Sequence, residues 1–143
     1  MNGEPQRLRE SGEALAELGR HEEALRLLGK ALALDPRDVE TWCLIGHSRI
    51  GLDDYAGALT VGNELVALAP DDSDGHLFRA RALNGLHRFD QALAAAREAV
   101  RCDPDSAVAW RRLALQLSAV GQPDEALTAA HRACRVDPGY VLG

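Results

Sequence analysis

Lysine and aromatic residues are scarce in this chain of 143 residues. Lys30 is the one lysine against fifteen arginines, and two residues each of Trp, Tyr and Phe supply every large ring. That excludes a core built on aromatic stacking, while a 46% hydrophobic share still fills a thin, layered one. No run of about 18 apolar residues occurs, so no transmembrane helix is expected within the chain. Met1 to Glu10 lacks the apolar stretch of a signal peptide. Cysteine is sparse and odd in number. Cys43, Cys102 and Cys134 form no Cys-x-x-Cys pair and read as reduced thiols of a cytoplasmic protein. No four nitrogen or sulfur ligands cluster, so neither a metal nor another cofactor is expected. Basic excess is missing too. The net charge of -6 argues against nucleic acid as a partner. The abundance of Arg and Ala reads as coding composition rather than function.

What the chain does have is repetition. Pro36, Pro70, Pro104 and Pro138 are spaced 34 residues apart, and so are Ala24, Ala58, Ala92 and Ala126. A fixed period of this size marks a stacked array of supersecondary units. Aligned on the prolines, the units are 5–38, 39–72, 73–106 and 107–140 of a single repeat domain spanning 1–143. Each unit reads as two helices. The first covers the early half, as in Val39 to Leu52. A turn follows at Gly19-Arg20, Asp53-Asp54, Leu86-His87-Arg88 and Gly121-Gln122. The second helix, such as Pro123 to Val136, stops before the proline, which cannot donate to it and clashes with the turn before. Asp38, Ser73 and Ser106 stand where the next helix wants an N-cap, and Pro123 stands in a first turn, where its missing N–H costs nothing.

Small residues recur where helices must approach. The eighth position of the units holds Gly12, Gly46, Ala80 and Ala114, and the twentieth holds the four alanines above. Trp42 and Trp110 hold the fourth position, Leu15, Leu83 and Leu117 the eleventh, and His21, Tyr55 and Phe89 the seventeenth. No unit can bury its apolar face alone, so each must be covered by the next.

These residues resemble the tetratricopeptide repeat family. Trp42, Ile45, Gly46, Tyr55, Ala58 and Pro70 carry the pattern in unit two; Trp110, Leu113, Ala114, Ala126, Ala133 and Pro138 carry it in unit four. The likeness covers residues 5–140 without an insertion. It implies an all-α fold, a right-handed superhelical stack of helix-turn-helix hairpins. Departures are Ser11 and Arg79 where the family usually has a leucine-like residue, and Arg49 where the other units have leucine. Arg49 could lay its stem on the core and its head on Asp53 or Asp54. Gly57 and Gly62 each cost about 1 kcal/mol relative to Ala inside a helix, so unit two is expected to be the loosest.

The resemblance further implies that the first helix of each unit lines a concave wall. The projected wall is graded: acidic in unit one, apolar in the middle, basic at the far end. Residues 1–72 carry a net charge of -7 and residues 73–143 a net charge of +1. Leu44, Leu77 and Phe78 together on a solvated wall suggest an interaction patch, and arginine beside it can take a carboxylate at two points. The favoured groove residues are Leu44, His47, Phe78, Arg81, Asn84, Arg111 and Arg112. The expected ligand is a peptide or protein segment with an acidic group. Some family members clamp chaperone tails with Lys, Asn and Arg. Here those positions read Arg9, Glu13, Leu44, Asp74 and Phe78, of which only Arg9 suits, so chaperone tails are not expected.

Catalysis is not expected. The five histidines are scattered over four units, and no His-Glu-x-x-His pair or Gly-rich phosphate loop occurs. Cys43 and His47 lie one turn apart but lack a third group and oxyanion donors. RNA-reading helical repeats have a similar period, but the acidic balance and the lack of a regular base-reading pair oppose that reading. A structural rival remains. After Pro138 too few residues follow to form a capping helix, so the face with Leu127, Ala130 and Cys134, together with Tyr140, Val141 and Leu142, is expected to mediate self-association or stacking.

Overall fold

The computed structural model describes residues 3–139, which form eight helices. They are α1 (Gly3–Glu17), α2 (His21–Leu34), α3 (Val39–Gly51), α4 (Tyr55–Leu68), α5 (Ser73–Gly85), α6 (Phe89–Cys102), α7 (Ala107–Ala119) and α8 (Pro123–Val136). Consecutive helices pair into four antiparallel hairpins and the hairpins stack in order, giving an all-α helical repeat solenoid. No strand occurs among the described residues. None of the described helices is long and apolar enough to cross a membrane.

The turn inside each hairpin uses one residue in the left-handed region, at the same place in every unit. These are Gly19 (φ 78°), Asp53 (φ 56°), His87 (φ 59°) and Gly121 (φ 79°). The next residue's N–H then reaches back five residues, from Arg20 to Leu15, Asp54 to Arg49, Arg88 to Leu83 and Gln122 to Leu117, at 2.8–2.9 Å. This closes the orphan carbonyls of the helix end in the Schellman manner. Where glycine is absent, a side chain adds a contact. The Tyr55 hydroxyl donates to Asp53 at 3.1 Å, and His87 stands edge-on to Phe89.

Between hairpins the prolines end helices as expected, and their carbonyls serve a second purpose. The Trp42 and Trp110 indole N–H groups donate to Pro36 O at 2.9 Å and Pro104 O at 2.7 Å. Each tryptophan thereby ties its helix to the preceding linker. Capping differs from expectation at one joint. Ser106 accepts from Ala109 N, but the cap of α5 is Asp72, which accepts from Asp74 N; Ser73 is already helical and buried. Asp38 does occupy the cap position of α3. Its carboxylate accepts from the Thr41 hydroxyl at 2.7 Å and from Arg9 of unit one at 2.8 Å.

The core is divided. One cluster joins Ala24, Leu28, Ile45, Val61, Leu65 and Phe78; the other is centred on Ala80, Leu83, Ala96, Leu113 and Leu117. The two meet on α5, where Phe78 faces back to unit two while Ala80 and Leu83 face forward.

Unit two departs from the regular pattern in an unexpected way. Helix α4 lies on α5 as tightly as the partners of the other hairpins lie on each other, while its packing on its own partner α3 is thinner. Gly62 and Gly75 permit this. A Cβ on Gly62 would meet the Arg79 backbone nitrogen at 2.9 Å and the Gly75 carbonyl at 3.0 Å. The glycine read as a weak point of unit two is thus where unit three seats. On the other flank, α2, α3 and α4 leave a cleft of about 390 Å³ between Leu25, Leu32, Trp42, Ile45 and Val61. Arg49 does reach Asp54, at 2.7 Å, but both side chains are more than a third exposed and lie within one hairpin. That pair contributes little and fixes nothing between units.

Candidate functional site

Side chains on the first helices face each other across the concave side because residues three and four apart share a helix face. On α3 this brings out Cys43 and His47; on α5, Asp74, Leu77, Phe78 and Arg81; on α7, Val108, Arg111 and Arg112. These nine residues enclose a groove cavity of about 360 Å³. Small-ligand and side-chain pockets start at about this size.

The floor is apolar. Phe78 is only 5% exposed, and a Cβ on Gly46 would stand 2.7 Å from its ring. The bare glycine of α3 therefore makes the slot that receives the ring of α5. His47 caps the ring's groove side, edge-on at 5.0 Å between centroids and 68° between planes. Phe78 belongs to the core first, and only its edge reaches the groove.

The charged groups are sorted by end. Asp74 accepts from the Cys43 thiol at 3.9 Å. Burial pushes the Cys43 thiol up to about 12, and the nearby carboxylates, Asp74 first and then Asp72, Glu40 and Asp38, push the same way. Cys43 is therefore a neutral thiol, the opposite of an activated nucleophile. Asp74 itself is raised above the ordinary carboxylate range by burial and then by Asp72. Burial also lowers His47, with Arg81 acting in the same sense and Asp74 opposing it. Across the floor stand Arg81, Arg111 and Arg112.

Of the residues favoured from sequence, His47, Phe78, Arg81, Arg111 and Arg112 line this cavity. Leu44 does not; it packs against the first core cluster beside Ile45. Asn84 is engaged in the wall. Its Oδ1 accepts from Nε2 of the fully buried Gln116 at 3.0 Å, and Gln116 Oε1 accepts from Arg112 at 3.3 Å. This polar link joins units three and four. Cys43, Asp74, Leu77 and Val108 line the cavity as well and are not among the favoured residues, although Leu77 belongs to the apolar patch read from the sequence. At the far end, Leu127 is 58% exposed, with Ala130 and Cys134 half-buried beside it. Tyr140, Val141 and Leu142 lie outside the described residues.

Two models described as tetratricopeptide repeat match residues 15–82 and 73–115, together well over half of the chain. The chain belongs to the tetratricopeptide repeat family. Similar solved structures include a thermophilic tetratricopeptide repeat protein of Thermus thermophilus. It is 26% identical over 94% of this chain and 75% of that one, with a TM-score of 0.86. MamA of Desulfovibrio magneticus shares the fold at 23% identity over 96% of this chain and 77% of that one, with a TM-score of 0.82. No curated protein sequence matches. Tetratricopeptide repeat proteins are typically non-catalytic interaction scaffolds, which is the general role this fold supports here.

Proposed function

We propose that this tetratricopeptide repeat chain is a cytoplasmic, non-catalytic scaffold that holds a protein segment in its concave groove. The observation that carries the reading is the cavity over Leu77, Phe78 and Val108, with Arg81, Arg111 and Arg112 gathered along one side. The apolar floor rewards a buried side chain, and the guanidinium groups take a carboxylate by charge-assisted hydrogen bonds. The test is capture from native lysate by the wild type and by the double variant Arg81→Glu, Arg112→Glu. We expect capture of a specific partner to fall by at least about ten-fold, as for charge reversal at an interface, with helicity and solution mass unchanged. Equal capture by both proteins would sink the groove assignment.

A second reading is self-association through α8. Leu25, Leu59 and Leu93 stand at the same place in their units and are half-buried, with Leu59 and Leu93 packed on the second core; Leu127, at the equivalent place in unit four, is largely exposed. A second copy would cover it. Sedimentation over a dilution series should then reveal a concentration-dependent mass. A monomer at every concentration would remove this reading and leave the groove one standing.

A further inference from the structure

The groove does not carry charge of one sign. Asp74 and Arg81 are seven residues apart on α5, so they share a face and stand two turns apart, about 10.5 Å along the axis. Leu77 and Phe78 lie between them. The carboxylates of Asp72 and Glu40, near Cys43, add to the acidic end; Arg111 and Arg112 on α7 add to the basic end. His47 sits between, acted on by Arg81 from one side and Asp74 from the other.

The acidic end is not explained by helix capping. Asp72 caps α5, accepting from Asp74 N at 2.9 Å. Among the described residues, the Asp74 carboxylate accepts only from the weak Cys43 thiol donor. Its surroundings raise its pKa, where a carboxylate serving as a cap or ion-pair partner is lowered. Asp74 thus lines the cavity with no cationic side chain hydrogen-bonded to it among the described residues, which leaves it open to a ligand cation.

We propose that the groove takes an extended internal segment of a partner protein that carries three determinants in order: a basic side chain at Asp74, an apolar one over Leu77, Phe78 and Val108, and an acidic one at Arg81, Arg111 and Arg112. This rests on the groove reading above and narrows it, because an acidic peptide alone would satisfy only one end. Alternate residues of an extended strand share a face. Positions one, three and five then span about 13–14 Å, and the flexible lysine and arginine side chains absorb the difference from the spacing on α5.

The probe is a seven-residue, fluorophore-labelled peptide, capped at both termini, with lysine, leucine and glutamate at its second, fourth and sixth positions. Three companions carry glutamine for lysine, glutamine for glutamate, or both. Anisotropy is read at low salt against wild type, Asp74→Asn and Arg81→Gln. We expect loss of the peptide lysine to weaken binding to wild type about ten-fold and to leave binding to Asp74→Asn unchanged. Loss of the glutamate should behave likewise with Arg81→Gln. A coupling present in one variant and absent in the other identifies the pair. If the glutamate arm behaves as expected but the lysine-to-glutamine change is neutral on wild type, the bipolar proposal is overturned while the groove reading survives. That comparison uses wild type alone and does not depend on any variant folding. If no peptide binds, or neither charge matters, both readings fall.

Discussion

Truncating Phe78 to alanine should destabilise the chain by about 3–5 kcal/mol, the usual cost of removing a buried ring. The ring sits in the slot left by Gly46, joins Ile45, Val61 and Leu65 in the first core cluster, and is 5% exposed. The slot is bounded by the bare backbone of Gly46 on one side and by His47 on the other. A thermal midpoint lower by about 10 °C or more is expected. Phe78→Leu, which keeps most of the volume, should cost less than about 1.5 kcal/mol. Thermal melts followed by circular dichroism decide the matter. A midpoint within two or three degrees of wild type for the alanine variant would mean that the ring does not anchor α5 to unit two. The same expectation makes Phe78 a poor probe of binding, because its loss would weaken the groove by loosening the wall.

The second large effect is a reversal of sign. Gly→Ala inside a helix normally stabilises by about 0.5–1 kcal/mol. At Gly62 it should instead destabilise, by about 1–3 kcal/mol as for other overpacked contacts. The new methyl would meet backbone atoms of α5, which cannot step aside as a flexible side chain can. Gly62→Leu should be worse, forcing α4 and α5 apart. Gly29 provides the internal control. It also lies within a helix, yet a Cβ there would touch nothing within 4 Å, so Gly29→Ala should show the ordinary gain. Urea denaturation of the two alanine variants side by side gives the comparison. Equal gains at both positions would show that the α4–α5 crossing does not need a bare backbone.

Gly29 and Gly62 look alike in one dimension, each a helix breaker in a second helix. Only the crossing of α5 over Gly62 separates them, and it depends on Gly75 and Arg79 in the next unit. The period itself is readable because Pro36, Pro70, Pro104 and Pro138 report it directly, and the helices follow within a residue or two. The cap at Asp72 is not singled out by sequence, because Asp71, Asp72 and Ser73 are all competent caps and local propensity does not rank them. Helical spacing places Asp74, Leu77, Phe78 and Arg81 on one face of α5, and it is the resemblance to the repeat family that implies this face lines the wall. Which of its residues are spoken for is not legible. Leu44 is claimed by the core and Asn84 by Gln116, a buried amide at a position where the other units have Ala14, Ser48 and Ala82. Partners across a joint are set by the neighbouring hairpin and leave no mark in a unit's own pattern.

Helix α5 holds four residues of the groove and also contributes Phe78 to one core cluster and Ala80 and Leu83 to the other. Anything seated in the groove therefore grips the element through which both halves of the array are joined. Its binding free energy would add to the native state as RT ln(1 + [L]/Kd), and through α5 it would reach the first hairpin, which lines no part of the groove. The heat resistance of the first hairpin would in this way follow occupancy of a groove it does not line.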